Sequence, residues 1–274
     1  MKEIIVKANA VIEASYRLSV MEQRIILSAI SQIRRDQPVS DEVMYELSVS
    51  KLRDISGSKS NAIYADMKAA VNHLYERSIT IEKSPNGEGS PTKKLKTRWI
   101  QSAIYSDEEG LIRLRFAKDI LPYLNQLTTQ FTSYSLKEVA SLTSAYAYRL
   151  YELLVQYRDI GSREISLENL RRWLDLGEKY GAIYDLKKRV VDPAVKQIND
   201  STPYRVKYTQ KKSGRLVTHF IFEFILISDR PAGRNGTSKI FTKADLEKDS
   251  KLARPGESFD KALKRLNSEG SKSK

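Results

Sequence analysis

No cysteine occurs among the 274 residues. Disulfides and thiolate metal sites are therefore excluded, and a reducing cytosol suits the chain. Histidine is almost as scarce. His73 and His219 are the only two, and neither has neighbours at metal-ligand spacing, so they read as structural residues of a helix and a strand. No GxxxxGK[ST] loop is present, which argues against an internal ATPase. No run approaches the ~18 apolar residues of a membrane-spanning helix. Lys7 and Glu13 interrupt the amino-terminal MKEIIVKANAVIE, which argues against a secretory signal. These absences point to a cytoplasmic, non-enzymatic protein with no cofactor and no metal. Acid is in deficit too: 34 carboxylates face 47 Lys and Arg, a formal charge of +13. A polyanionic partner follows, with nucleic acid as the first candidate and an anionic membrane surface as the second.

The apolar share, 41%, is enough for folded cores. At this length two domains are expected rather than one. LSVMEQRIILSAISQI has a helical apolar face of Leu18, Ile25, Ile26, Ala29 and Ile33, and Ser19 with Glu22 forms a capping box. VSKLRDIS and AIYADMKAAVNHLYERS continue as helices. SITIEK, KLKTRWIQSAIYS and LIRLRF read as strands, with a turn in PNGEGSP. A helix is predicted over AKDILPYLNQL, which Pro122 either kinks or begins. Ser135 and Glu138 then form a second capping box ahead of a Tyr-rich helix, SAYAYRLYELLVQY. Its Tyr146, Tyr148 and Tyr151, with Tyr157, read as packing residues rather than nucleophiles. ISLENLRRWLDL is a short helix.

The two halves repeat. LSVSKLRDI from Leu47 lies over ISLENLRRW from Ile165 at an offset of 118, and NAIYADM from Asn61 over GAIYDL from Gly181 at an offset of 120. Each half runs helix, short helix, long helix, strand, polar loop, strand. The predicted fold is α+β with two copies of one small unit, divided as 1–131 and 132–228. After Ser228 the composition turns to Gly, Pro, Ser and Arg, so 229–274 reads as a flexible basic tail. Within it FTKADLEK and ESFDKALKRL could form short helices.

The most informative stretch is 181–224: a basic amphipathic helix, the strand STPYRVKY, the cationic turn TQKKSGR, and the strand LVTHFIFEF. From Gly181 to Arg215 nine cations meet three acids. On the helix, Ile183, Leu186, Val190 and Ala194 share one face. Tyr184, Asp185, Lys188 and Arg189 share the other, with Lys187 at its flank. Such a helix fits a DNA major groove, where cations meet guanine edges or phosphates. Pro193 cannot donate to Arg189 and is expected to bend or restart the helix, with Asp192 as a cap. Lys211, Lys212 and Arg215 at the turn, with Lys207 on the strand, are candidate phosphate contacts. A row of cations alone would be a solvated face; the adjoining basic hairpin makes it a DNA grip. In the first half the long helix has one interior cation, Lys68, and its hairpin carries Lys93, Lys94, Lys96 and Arg98. That suits backbone or protein contact rather than base reading.

KANAVIEASYRLSVMEQRIILSAISQI at one end, and YDLKKRVVDPAVKQINDSTPYRVKY with KKSGRLVTHFIFEF at the other, resemble the replication initiator (Rep) proteins of iteron-containing bacterial plasmids. The tail piece ARPGESFDKA resembles a segment of the same family. The resemblance implies two tandem winged-helix domains. It implies a carboxyl-terminal domain reading double-stranded iteron DNA through Lys187, Lys188 and Arg189, with Lys211, Lys212 and Arg215 as its wing. It also implies an amino-terminal domain for dimerisation and backbone contact. Monomers would bind origin direct repeats and bring in the host initiator and helicase, while homodimers would repress the chain's own gene at an inverted repeat. Some relatives carry arginine at the positions of Lys187 and Lys188. Lysine lacks arginine's planar fork, so base reading here falls to Arg189 or Tyr184. A dedicated winged-helix repressor is the alternative, and a tyrosine-dependent nicking enzyme a third.

Overall fold

A computed structural model of the protein describes residues 3–57, 62–87, 94–227 and 260–264. The Lys93 position, the FTKADLEK helix and most of the proposed flexible tail lie outside these residues. Of ESFDKALKRL, 260–264 is helical. Among the described residues no helix is long and apolar enough to cross a membrane.

The chain opens with strand β1 (Ile4–Ala8) and a short helix α1 (Asn9–Ile12). The first winged-helix unit starts at α2 (Val20–Ile30), whose Ser19–Glu22 capping box forms as expected. Next come β2 (Tyr45–Ser48), α3 (Val49–Ser56) and α4 (Ile63–Glu76). Met67, Val71 and Leu74 of α4 are buried at helical spacing. Four strands complete the unit: β3 (Ser78–Ile81), β4 (Leu95–Arg98), β5 (Ile100–Ser106) and β6 (Leu111–Phe116). The single strand expected over KLKTRWIQSAIYS is broken at Trp99. That ring is fully buried and packs edge-on to Tyr16 at 5.0 Å. Residues 118–123 form a 3-10 turn, not the expected α-helix. Pro122 lacks the amide an α-helical ladder needs, and the i→i+3 bond from Leu124 to Leu121 closes the turn instead.

Strand β7 (Phe131–Ser135) returns to pair antiparallel with β1. The Ser135–Glu138 capping box also forms, but it caps a separate short helix, α5 (Leu136–Val139). The Tyr-rich helix α6 (Ala145–Val155) begins only after a further turn. Then follow β8 (Ser162–Ser166), α7 (Leu167–Trp173), a long helix over 183–201, β9 (Tyr204–Ser213) and β10 (Leu216–Leu226). The strand orders are β2-β6-β5 in the first half and β8-β10-β9 in the second. The same three-stranded plan, each time behind three helices, agrees with the repeat in the sequence. The first half adds the β3-β4 ribbon.

A buried ionic cluster joins the start of the chain to α6. The Lys7 ammonium lies 2.5 Å from the Glu152 carboxylate, and the side chains are 0% and 1% exposed. The Tyr134 hydroxyl donates to Glu152 at 2.5 Å, and Arg149 approaches it at 3.3 Å. Arg149 also donates to the carbonyls of Ile12, Ala14 and Trp173. Burial alone would push the Glu152 carboxyl up, but the charges of Lys7 and Arg149 outweigh it and hold the group below its ordinary value. Nearby, Arg163 grips Glu13 at 2.6 Å. On the surface, Arg172 of α7 pairs with Glu82 beside the β3-β4 ribbon.

Candidate nucleic-acid interface

The long helix has three parts: α8 (Ile183–Leu186), a π-helical turn over Lys187–Val191, and α9 (Asp192–Ser201). Pro193 explains the turn. It has no amide for the Arg189 carbonyl, and its ring would clash there in an α-helix. Widening by one residue avoids both problems, and the Asp192 amide bonds back to Lys187. So the α-helical pattern resumes at Asp192 with Pro193 in the first turn of α9, where a missing amide costs least. Asp192 does not cap it: its carboxylate accepts a hydrogen bond from the Tyr208 hydroxyl of β9.

Leu186, Val190, Val191, Ala194 and Ile198 are all buried. Leu186, Val190, Ala194 and Ile198 follow one another at intervals of four and line the inner face, while Tyr184, Lys188 and Arg189 stand outside. Tyr184 is 68% exposed and the Arg189 side chain 65%. The Lys188 ammonium rests on Tyr184, 3.3 Å from its hydroxyl and 5.4 Å from its ring centre. Arg189 meets Asp185 only at 3.8 Å. Lys187 is half-buried, its ammonium 5.9 Å from the Tyr208 ring. Tyr208 packs in turn on Phe220 and Phe222 at 5.3 and 5.7 Å. Burial, and then the bond to Asp192, push its hydroxyl's ionisation up, so Tyr208 remains a donor. The helix is therefore anchored on the sheet at its π turn.

The hairpin turns at Gly214–Arg215, with Ser213 opposite Leu216. Gly214 has φ +60°, as the first central residue of a type II′ turn does, and only glycine takes that conformation without strain. The side chains of Lys212 and Arg215 are exposed at this tip and make no hydrogen bond or ion pair among the described residues. Lys207 and Lys211 lie elsewhere. Along β9, Tyr204 and Val206 are buried and Tyr208 faces the core, so Lys207 and Lys211 project from the opposite, outer face. Lys211 is engaged there by Glu164 of β8 at 2.8 Å, with His219 3.7 Å from the same carboxylate. The eight sequence-derived candidates thus form three groups. Tyr184, Lys187, Lys188 and Arg189 line the helix, and Lys212 and Arg215 mark the wing tip. Lys207 and Lys211 sit on the far face of the sheet.

The first half presents a different surface. Lys68 pairs with Asp107 at 3.0 Å, Lys94 with Glu82 at 3.0 Å and Arg98 with Glu76 at 3.3 Å, while Lys96 is exposed. Most of its described cations are held by the chain's own carboxylates.

Two residues that shape the candidate interface carry no motif in the sequence. Tyr208 is one. Arg171 is the other, bonded to the backbone just ahead of the long helix. A search for cations finds Arg171, but only folding shows that it faces carbonyls rather than solvent.

Three helices closed by a twisted hairpin, with cations on the third helix and the hairpin tip, define a winged-helix protein of the nucleic-acid-binding type. A family model described as "Initiator Replication protein, WH1" matches residues 4–155, and one described as "Initiator Rep protein, WH2" matches residues 166–224. The chain belongs to this family of initiator replication proteins. A 27.6 kDa uncharacterised protein of Escherichia coli is 29% identical over 82% of this chain and 95% of its own length. The PI protein of Escherichia coli is 22% identical over 82% of this chain and 83% of its own. Among solved structures, that of the Pi initiator protein in complex with iteron DNA matches with a TM-score of 0.70 and 22% identity. The match covers 83% of this chain and 99% of that one, a likeness of fold.

Proposed function

We propose that this chain is a plasmid replication initiator that recognises iterons in double-stranded DNA. One observation carries the reading: in a member of the initiator family, Tyr184, Lys188 and Arg189 are exposed on one helix beside an unpartnered basic wing tip. The similar fold solved with iteron DNA supports it. Arg189 and Tyr184 read base edges in the major groove, with Lys188 and Lys187 on adjoining phosphates. Lys212 and Arg215 hold the backbone. Lys207 and Lys211 add phosphate contacts where the duplex passes the outer face. Lys211 must first leave Glu164, an exposed pair that is weak and screened by salt. The work is recognition rather than bond-making, with no cofactor.

In this reading residues 1–131 form the dimerising and backbone-contacting domain, 132–228 the iteron reader, and 229–274 a tail. Monomers bind direct repeats at the origin and bring in the host initiator and helicase in the cytoplasm. Dimers repress the gene from an inverted repeat. Footprinting on the DNA flanking the gene tests this. Protected direct repeats beside an AT-rich stretch are expected. A lone palindrome would instead favour a dedicated repressor, and no protection at all would remove both.

A further inference from the structure

The long helix begins without a side-chain cap. Ala182 precedes it and offers no hydroxyl or carboxylate. The loop from α7 into it is tightly folded: Asp175, Gly177 and Tyr180 all have positive φ, at 49°, 54° and 56°. Two of these carry side chains, which rarely adopt that region unless surroundings impose it. Arg171 supplies the constraint. Its guanidinium donates to the carbonyls of Lys179 at 2.8 Å, of Gly181 at 3.2 Å, and of Tyr180 between them. Its own carbonyl accepts from the Leu176 amide at 3.0 Å. One side chain thus ties three successive carbonyls of the segment that delivers Tyr184 to the surface.

We infer that Arg171 is a positioning residue for base recognition. Its planar fork fixes the angle at which the amino-terminal half of the 183–201 helix leaves the domain, and so where Tyr184, Lys188 and Arg189 meet base edges. The inference rests on the proposal that this helix reads DNA. A lysine keeps the charge but cannot span three carbonyls, because its ammonium is a single point donor on a flexible stem. Small misplacements cost base contacts most, since those need two aligned bonds, while phosphates are met over a wide range of geometries.

The test uses the full chain. A consensus duplex is first selected from a random 20-bp pool with the wild-type protein, and a scrambled duplex serves as control. Arg171→Lys is expected to reduce the consensus-to-scrambled affinity ratio by about tenfold or more, the value of a good base contact. Scrambled-duplex affinity and the dependence of log K on log salt should stay as in wild type. An unchanged ratio overturns the inference. So does a salt slope that falls by about one unit, which would make Arg171 itself a phosphate contact. A wild-type chain that selects no consensus would remove the helix-reading proposal instead. If Arg171→Lys fails to fold, amide exchange in the wild-type chain decides. Slow exchange at Leu176, Lys179 and Leu186 is expected of a pinned loop, and rapid exchange there overturns the clamp.

Discussion

Glutamine at position 152 would leave the Lys7 ammonium buried without an anion. Wild-type Glu152 receives Lys7 and the Tyr134 hydroxyl, both at 2.5 Å, with Arg149 at 3.3 Å and the Tyr16 hydroxyl at 3.4 Å. Glu152→Gln keeps the shape and removes the carboxylate that, among the described residues, balances two cations. Breaking one side of a fully buried pair costs about 3–5 kcal/mol, because the remaining charge keeps its desolvation penalty. For a chain this size that corresponds to a fall of roughly 6–20 °C in melting midpoint. Lys7→Met is expected to cost less, about 1–2 kcal/mol, since Glu152 retains Arg149 and two hydroxyls. The double variant should then be at least about 1 kcal/mol better than the sum of the singles. Urea unfolding followed by circular dichroism at pH 7 measures all three. A Glu152→Gln loss under about 1 kcal/mol, or strict additivity, would refute the view that the cluster acts as one unit. The pH dependence has a definite sign. The folded Glu152 carboxyl titrates below its ordinary value of 4.5, so on acidification the unfolded chain takes up the proton first. The stabilisation is present above about pH 4.5 and is lost as pH falls through the folded value. Glu152→Gln should flatten that acid limb, leaving the part due to Glu13, which is also held low against burial by Lys83 and Arg163.

Arg189→Ala should weaken consensus binding by about 1–3 kcal/mol and relax preference at one base position, and an unchanged consensus-to-random ratio would remove Arg189 from base reading. Replacing Lys212 and Arg215 together by alanine should weaken binding to every duplex and flatten the salt dependence by up to about 0.9 log units per lost contact; a wild-type slope would take the wing tip out of the interface. Pro193→Ala should leave the selected consensus as it is. Reverting to an α-helix would gain one hydrogen bond, about 1 kcal/mol, and keep Leu186, four residues before Val190, on the buried face. An altered consensus would mean that Pro193 alone sets the helix phase.

Much of the candidate interface was legible because its signals are local. The 3.6-residue spacing of Leu186, Val190 and Ala194 shows a helix, and Ser-Gly-Arg between alternating strands shows a hairpin. The repeat offset relates one half to the other, and the strand orders agree with it. What escaped were elements whose partners lie far along the chain. IIVKA has no periodicity that marks it as an element, yet it is a strand that pairs with residues 131–135. Strand β8 lies inside a polar stretch, SREIS, whose Arg163 is buried against Glu13, Gln156, the Leu153 carbonyl and the Trp173 ring. The 3-10 turn at Pro122 and the π turn before Pro193 show the same limit. Proline announces that the ladder must change, but the surrounding packing chooses how.

Composition and periodicity by themselves determined a cationic chain of two similar α+β units and placed a basic helix beside a basic wing. These depend on charge and on side-chain spacing within an element. Only the tertiary structure decided which cations are free. It gave Lys211 to Glu164, sank Lys7 against Glu152, and turned Arg171 onto the loop that presents Tyr184. The physical reason is that a charged group's role depends on what lies within a few ångströms of it, and for these residues that neighbour comes from another part of the chain.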